Sequence, residues 1–395
     1  FRGVLRACAQ SAQDGHGEVR EGKDPLPFNA YRQLAGGELY PNGHEDGVFG
    51  HAFLVIIWNL MCRAKSVTTI CLSHIEMRGD AIAIFFAQQK TDQTGDRPRD
   101  PRHIFANPFM PEICPFLALG LFLLAYPVGA VARKLFSGND QSQRFSAFLG
   151  RKTRAGGNFL EVYGIEPNDV GTHSARKGAA TYAASGSTAC PPIPAICLRA
   201  GWSVGPVQDR YIRYEAAGDQ YVGRTVCGLP LSTDAFGVLP PYFCKVDGNG
   251  IPIPGVAERV AQAVSDCFGA DLMPRLKPVA EFLLASVVYH REFLSRTLHP
   301  SHPVWGNFLF VTGLAEDLAP HVVLRYDGET TELRASGIPP HVAILKSLRT
   351  VLTAALADRL SEDVQRGFQQ AMDANAIASG HITAHQLQEA LKTCL

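Results

Sequence analysis

Hydrophobic positions recur at helical spacing along most of the chain, and one stretch alternates instead. The helical spacing predicts helices over residues 51–62, 112–126, 141–149, 172–185, 193–200 and 206–217. Apolar runs on either side of Arg78-Gly79-Asp80 predict a β-hairpin or a three-stranded sheet with Lys90 at its far turn. We therefore expect an α+β fold that is mainly α-helical and contains a small β-sheet.

A Pro- and Gly-rich stretch divides the chain near residues 230–250, in the segments GLPLSTDAFGVLPPYF and GNGIPIPG. Beyond it, apolar spacing predicts helices over residues 256–267, 276–297 and 340–369. We predict three parts: residues 1–45 as a linker or the remnant of an N-terminal region, residues 46–230 as one domain, and residues 231–395 as a mainly helical accessory domain. Because the first residue is Phe, we expect the natural protein to begin further upstream.

Two apolar segments each allow an alternative interpretation. In the last predicted helix, one stripe that could bind a partner contains Leu345, Leu348, Leu352, Leu356 and Leu360. A heptad register fails at Arg359 and Glu362, which favours a core helix over a coiled coil. Residues 113–132 are uncharged and long enough to span a membrane, but Pro115 and Pro127 confine the helical part to about a dozen residues. That length is typical of a buried core helix, and we expect no membrane association.

Charge is distributed unevenly in a chain whose formal net charge is zero. Residues 1–230 carry 24 Lys+Arg against 20 Asp+Glu, residues 231–395 carry 13 against 17, and residues 102–213 carry 12 against 6. A basic centre with acidic flanks suits contact with a polyanion, although a modest excess often has no such meaning. The ten cysteines include neither C-x-x-C nor a Cys/His cluster at metal spacing, which indicates reduced thiols of an intracellular protein.

Candidate chemistry is concentrated between Thr172 and Tyr211. If Thr172 caps a helix, His173 and Arg176 share one face of its first turn, where backbone N–H groups also favour an anion. Trp202 follows in a Gly-Trp-Ser step, and Tyr211 comes nine residues later as the candidate nucleophile. The pattern indicates a phosphoryl-transfer site.

Together with two earlier residues, this region resembles the tyrosine recombinases, also called phage-integrase-type recombinases. That family has an arginine after a helix, a lysine on a β-turn, a His-x-x-Arg box, a Gly-His or Gly-Trp step, and a tyrosine nine residues on. The matching residues here are Arg63, Lys90, His173, Arg176, Trp202 and Tyr211. The resemblance covers about residues 45–225. Its boxes NLMCRAKS, FAQQKTDQ, RPRDPRHIFANP, THSARKGAATYAASGSTACPP, RAGWS and YEAAGDQYVGRTV are similar to those of Crypton-like transposon recombinases.

The resemblance implies DNA cleavage and rejoining through a 3′-phosphotyrosyl intermediate in the domain of residues 46–230, with no metal or other cofactor. Arg63 and Arg176 would clamp the non-bridging phosphate oxygens bidentately, which a lysine cannot reproduce. Tyr211 would attack phosphorus and conserve the bond energy for religation to a new 5′-hydroxyl.

The remaining family positions imply proton transfer and DNA contact. Lys90 would protonate the departing oxygen, His173 would assist proton movement, and Trp202 would contact the phosphate. Further expected DNA contacts are Lys177, Arg97 and Arg102. The implied partner is double-stranded DNA, bound by a homo-oligomer that forms a tetramer on paired sites, and the implied compartment is the nucleus.

Three departures from the family pattern affect these expectations. Many members have Glu three residues after the first arginine, where this chain has Ser66, although Glu76 stands where an acidic residue is common. The STACPPIPAI stretch before Trp202 is long, so we expect the helix bearing Trp202 to be shifted. The first fifty residues are too short for the N-terminal helical domain with which recombinases clamp DNA.

Other interpretations stay open at this point. The chain could be a domesticated or truncated descendant that binds DNA without cutting it, or a helical interaction protein whose matches are accidental and which has no affinity for DNA. A type IB topoisomerase would share the tyrosine chemistry, but the His-x-x-Arg box and Trp202 favour a recombinase. Tyr214 competes with Tyr211 as nucleophile because it lies one predicted helical turn later.

Overall fold

The computed structural model describes residues 22–39, 45–86, 100–127, 133–155, 159–205, 211–330 and 332–348, with scattered positions between 351 and 367. These residues form a mainly α-helical fold with small antiparallel sheets, which confirms the predicted fold class. The elements up to residue 230 are α1 Phe28–Leu39, α2 Glu45–Leu60, α3 Ala64–Val67, β1 Ile75–Arg78, β2 Ala81–Ile84, β3 Arg102–Ile104, α4 Pro115–Ala125, α5 Gln141–Ala155, α6 Thr172–Ser185, α7 Ile193–Ala200 and α8 Ala216–Val226.

The predicted sheet is present and has three antiparallel strands in the order β1-β2-β3. Ile75 pairs with Ile84 across the β1–β2 hairpin, and Ile82 pairs with Ile104 of β3. Lys90, which we predicted at the far turn of this sheet, lies outside the described residues.

Helix α2 is the centre of the core because it is apolar on all sides, as expected of a buried helix. Every residue from Val48 to Leu60 is buried. Helices α1, α4 and α6 pack around it. Helix α4 is itself buried along most of its length, so the interpretation of this segment as a core helix is confirmed. Among the described residues, no helix combines the length and apolar character needed to cross a membrane.

The chain beyond residue 230 shares this core. Its elements are β4 Tyr242–Phe243, α9 Val256–Phe268, α10 Leu276–Tyr289, α11 Arg291–Thr297, α12 Phe308–Val311, α13 Leu314–Leu318 and β5 Val322–Val323. Helix α10 packs against both α4 and β1, so apolar side chains from the two halves of the sequence bury one another. The helix predicted over 276–297 is interrupted at His290, which separates α10 from α11.

Compact packing divides the chain into Phe1–Ile338 and Pro339–Leu395, whereas the sequence predicted a boundary near residues 230–250. A buried ion pair between Asp80 and Arg224 shows why the chain holds together across that region. Arg224 also donates hydrogen bonds to the carbonyl oxygens of Phe236 and Ser336, at 2.8 and 2.5 Å. The hydroxyl of Ser336 donates to Asp80 at 2.7 Å. Residues 236–336 are thereby tied to the β1–β2 turn and to α8.

In the second unit, residues 340–348 are helical. Leu345 and Leu348 in this helix are exposed, and so is Leu352 beyond it, which contradicts the preference for a core helix. Leu356 and Leu360 lie outside the described residues.

Candidate functional site

Helix α6 carries two of the predicted site residues on its first turn. Its N-cap is Gly171, not Thr172, because Gly171 has the extended backbone of a cap and its N–H donates to the hydroxyl of Ser174 at 3.0 Å. His173 is exposed, while Arg176, three residues on, is buried. The predicted helix bounds of 172–185 are confirmed, but the predicted cap is off by one residue.

A glycine allows α6 to approach its neighbours closely. A β-carbon on Gly178 would lie 2.0 Å from the carbonyl oxygen of Leu26 and 2.8 Å from the ring of Trp58. Since these contacts are closer than atoms can approach, only glycine fits at this position. The close packing fixes the helix that presents His173 and Arg176.

Arg176 is held in place but retains one buried hydrogen-bond donor without a partner among the described residues. One terminal nitrogen, Nη2, donates to the carbonyl oxygen of Ala200 at the end of α7. The guanidinium carbon lies 5.4 Å from the centroid of the Trp202 ring, within the range of a cation–π contact. Its Nε atom is buried and has no hydrogen-bond partner among the described residues. A buried, unsatisfied donor on a cation is costly unless an acceptor such as a phosphate oxygen occupies the site.

Trp202 reaches Arg176 because of the way α7 ends. Gly201 adopts the left-handed conformation with φ of 66°, a value that glycine tolerates best, and terminates the helix. The N–H of Trp202 then donates to the carbonyl of Cys197 at 2.9 Å. The indole ring is 41% exposed and faces Arg176. The long segment before α7 therefore leaves Trp202 beside Arg176, although Trp202 follows the helix instead of lying on it.

Arg63 joins the same cluster from the end of α2. It occupies the N-cap position of the short helix α3 and is exposed. Burial is the main cause that lowers the pKa of Arg176, and repulsion by the nearby Arg63 guanidinium lowers it further. Glu76, the acidic residue considered as support for Arg63, instead pairs with Arg78 at 2.6 Å and with Arg275 at 3.0 Å.

Arg102, which we predicted to contact DNA, is a buried residue of β3. Its Nη1 donates to the carbonyl oxygen of Leu60 at 2.8 Å, and its guanidinium carbon lies 4.6 Å from the centroid of the Phe86 ring. Its Nη2 is 3.7 Å from the place that a β-carbon on Gly201 would occupy. Arg102 therefore lies next to Gly201, the residue that precedes Trp202.

The buried thiol of Cys62 lies within electrostatic range of three arginines. Burial raises the pKa of this thiol to about 11, although the positive charges of Arg102, Arg176 and Arg199 oppose the rise. The thiol is therefore neutral at physiological pH and does not compensate the guanidinium charges. In the described part of the chain, Arg199 forms an ion pair with Asp219, but Arg63, Arg102 and Arg176 form none. The excess positive charge favours binding of an anion.

The pair of Arg199 and Asp219 is a support that the sequence did not reveal. Arg199 donates to Asp219 at 2.5 Å and to the carbonyl oxygens of Asn59 and His103 at 2.8 Å. The carboxylate of Asp219 also accepts from the backbone N–H of His103 at 2.8 Å. Burial alone would raise the pKa of Asp219, but Arg199 and His103 outweigh it and hold that pKa below its usual range. The network joins α2, β3, α7 and α8 next to Arg63, Arg102 and Arg176, which we call the arginine cluster. A charged residue within the otherwise apolar α7 was the available signal.

The two candidate tyrosines occupy different surroundings. The helix predicted over 206–217 is wrong in its second half, because residues 212–215 are not helical and α8 begins at Ala216. Residues 206–210 lie outside the described part. Tyr211 is 79% exposed. The hydroxyl of Tyr214 donates to the carbonyl oxygen of Pro101 at 2.8 Å, and burial raises its pKa.

The structure thus brings Arg63, Arg176 and Trp202 together, with His173 on the turn that carries Arg176. Lys90 and Arg97 lie outside the described residues. Lys177 is exposed and donates to the carbonyl oxygen of Lys23 at 2.6 Å.

Comparison with known proteins gives similarity in structure alone. No family model matches the chain, and no curated protein matches it. A Flpe–Holliday junction complex is similar with a TM-score of 0.42 and 12% sequence identity, over 67% of this chain and 64% of that chain. A FLP recombinase–Holliday junction complex is similar with a TM-score of 0.42 and 12% identity, over 73% of this chain and 68% of that chain. The chain therefore spans slightly less than two thirds of the first of these structures.

Proposed function

We propose that this protein cleaves and rejoins DNA strands through a covalent link between Tyr211 and a 3′-phosphate, as a tyrosine recombinase does. The observation that carries the proposal is the convergence of Arg63, Arg176 and Trp202 from three separate parts of the sequence. Arg176 contacts Trp202, and Arg63 lies near enough for its charge to lower the pKa of Arg176. An accidental match of sequence motifs gives no reason for this proximity.

The arginines would stabilise the negative charge that develops on the non-bridging phosphate oxygens. A phosphodiester under attack gathers negative charge on its non-bridging oxygens, and fixed cations lower the barrier most where water is excluded. Arg176 is buried and its Nε donor has no partner among the described residues, and Arg63 provides a second guanidinium at the surface. Two such groups can hold both oxygens bidentately.

Tyr211 suits the part of nucleophile because it is accessible. The hydroxyl of Tyr214 is engaged with Pro101, whereas Tyr211 is largely exposed. Attack by the Tyr211 oxygen would form the bond to phosphorus, release the 5′-oxygen of the DNA, and transfer the tyrosine proton to a base. His173 is the described base on the turn of Arg176, and Lys90 would donate the proton to the leaving oxygen.

Double-stranded DNA is the proposed partner, and assembly of a homo-oligomer on paired sites is proposed with it. The excess of basic residues between 102 and 213 supports contact with a polyanion. DNA affinity should accordingly fall steeply as salt concentration rises.

A covalent-adduct assay tests the proposal without knowledge of the target site. Duplexes with randomised sequence around a nick trap the covalent intermediate, because the short cleaved strand diffuses away. The wild type should retain DNA on a denaturing gel, and Tyr211→Phe should not. Sequencing of the retained DNA would reveal site preference.

Each other outcome has a defined meaning. Salt-sensitive binding without an adduct would favour the alternative of an inactive DNA-binding protein. Absence of binding would overturn the proposal altogether. Relaxation of supercoiled DNA without site preference would assign the chemistry to a topoisomerase.

A further inference from the structure

The segment that follows Tyr211 makes a hydrogen bond over a long sequence distance. Residues 212–215 are not helical and link the helical residue Tyr211 to α8. Within them, the hydroxyl of Tyr214 donates to the carbonyl oxygen of Pro101 at 2.8 Å. Tyr214 is half-buried, whereas Tyr211 is exposed.

The acceptor of this hydrogen bond, Pro101, is the sequence neighbour of one residue of the arginine cluster. Pro101 immediately precedes Arg102, whose Nη1 donates to the carbonyl oxygen of Leu60 near the end of α2. Arg63 follows three residues after Leu60. Pro101 and Arg102 therefore connect the segment after Tyr211 with the end of the helix that precedes Arg63.

A cavity adjoins the segment on its inner side. A cavity of about 200 Å³ lies between the segment, α7 and α8. Its apolar lining includes Pro192, Pro194, Ala195, Leu198 and Ile212. Because the apolar contacts do not fill this space, a directional hydrogen bond has more influence on the position of the segment than it would in a close-packed core.

We propose that Tyr214 is a positioning residue, which fixes residues 212–215 to Pro101 and thereby sets the place from which Tyr211 reaches the phosphate. The assignment rests on the proposed function of Tyr211. Tyr214 takes no part in bond formation, and its hydroxyl acts only through the orientation of the segment. Without the hydroxyl, Tyr211 occupies its attacking position for a smaller fraction of the time.

The experiment compares Tyr214→Phe with Tyr221→Phe as a matched control. Tyr221 also donates its hydroxyl to a backbone carbonyl, that of Ala189, but it lies on α8 beyond the segment. Adduct formation is followed in single turnover on nicked DNA, together with DNA affinity. In parallel, limited trypsin digestion measures cleavage after Arg213, a readout that needs no catalytic activity.

For Tyr214→Phe we expect adduct formation to slow about three- to tenfold, the effect of losing one neutral hydrogen bond, with unchanged DNA affinity. Tryptic cleavage after Arg213 should accelerate by a similar factor. The linked residue should still be Tyr211, and Tyr221→Phe should behave as the wild type. A loss of affinity or a general loss of thermal stability that accounts for the slower reaction would overturn the proposal.

Three further results would also overturn it. These are an unchanged adduct rate, unchanged tryptic cleavage, or DNA linked to Tyr214 itself. If the wild type forms no adduct, the proposed function of Tyr211 fails, and the tryptic rates still decide whether Tyr214 anchors the segment.

Discussion

Arg176 concentrates the chemistry of the site in one side chain. It is buried, lies against Trp202, and keeps a buried Nε without a partner among the described residues. Burial together with repulsion by Arg63 lowers its pKa, which means that the free protein holds this charge at an energetic cost. A bound phosphate would remove that cost.

We therefore expect Arg176→Lys to slow adduct formation about 100-fold or more while DNA affinity and its salt dependence change little. Lysine keeps the charge but cannot supply the bidentate donors, and loss of such a donor typically costs this much. Single-turnover assays on nicked DNA measure the rate. Arg259→Lys, at an exposed arginine paired with Asp317, is the control. Equal rates for both variants would exclude Arg176 from the clamp.

Because of two buried histidines, we expect the free energy of unfolding to decrease in acid. Burial lowers the pKa values of His290 and His302 to about 4, well below the ordinary value of 6.5. Above pH 6.5 both rings are neutral in the folded and the unfolded chain. As the pH falls from 6.5 to 4, the unfolded chain binds protons that the folded chain rejects, so the free energy of unfolding decreases.

At pH 5 the expected loss is about 2 kcal/mol for each histidine. Urea unfolding at pH 7.5 and pH 5 measures it for the wild type and for His290→Leu, which cannot titrate. The variant should lose about 2 kcal/mol less than the wild type between the two pH values. Equal losses would show that His290 is not held neutral by burial.

At the scale of single elements, α6 depends on Gly178 for its close approach to Leu26 and Trp58. Gly178→Ala should destabilise the protein by about 1–3 kcal/mol and should slow adduct formation, because α6 carries His173 and Arg176. Gly150→Ala in α5 is the matched control, since its β-carbon meets only the flexible end of Arg154 at 3.4 Å.

The control should be neutral or slightly stabilising, as alanine favours helix by about 0.5–1 kcal/mol over glycine. Chemical unfolding of both variants provides the comparison. A destabilisation of the same size in both would mean that α6 does not pack as closely as Gly178 requires.

Local sequence patterns predicted the elements whose local preferences agree with their surroundings. Helix α6 is rich in alanine and α7 is bounded by Pro192 and Gly201, so their limits could be read from the sequence. The segment 212–215 could not: it is not helical, and the hydroxyl of Tyr214 donates to the carbonyl oxygen of Pro101, which lies far away in sequence.

The residues of the site were predictable from the sequence, but the hydrogen-bond network that holds them was not. The resemblance to tyrosine recombinases identified Arg63, Arg176 and Trp202, and the structure places Trp202 against Arg176 and Arg63 near it. The network of Arg199 and Asp219 was not predictable, since its partners come from separate elements and include backbone carbonyls. The family pattern suggested Glu76 as a possible support for Arg63, whereas it pairs with Arg78 and Arg275.

At the scale of the whole molecule, the unit Phe1–Ile338 depends on residues beyond the Pro-rich segment. Helix α10 covers α4 and β1, and Ser336 completes the hydrogen bonds of the buried pair Asp80–Arg224. Removing these parts would expose a large apolar surface and leave two buried charges less well satisfied.

A chain that ends at residue 338 should therefore unfold cooperatively, whereas a chain that ends at residue 230 should be unfolded or aggregated. Circular dichroism and thermal unfolding of the two truncated chains test this difference. A stably folded chain of residues 1–230 would show instead that the sequence boundary near 230–250 separates independent domains.

The proposed function requires that Tyr211 become covalently linked to DNA. The most direct measurement is mass spectrometry of peptides from the wild-type protein after reaction with nicked duplexes of randomised sequence. We predict a nucleotide-modified peptide whose fragments place the added mass on Tyr211, and no such peptide from Tyr211→Phe. Modification of a different residue, or DNA binding without any modified peptide, would contradict the account.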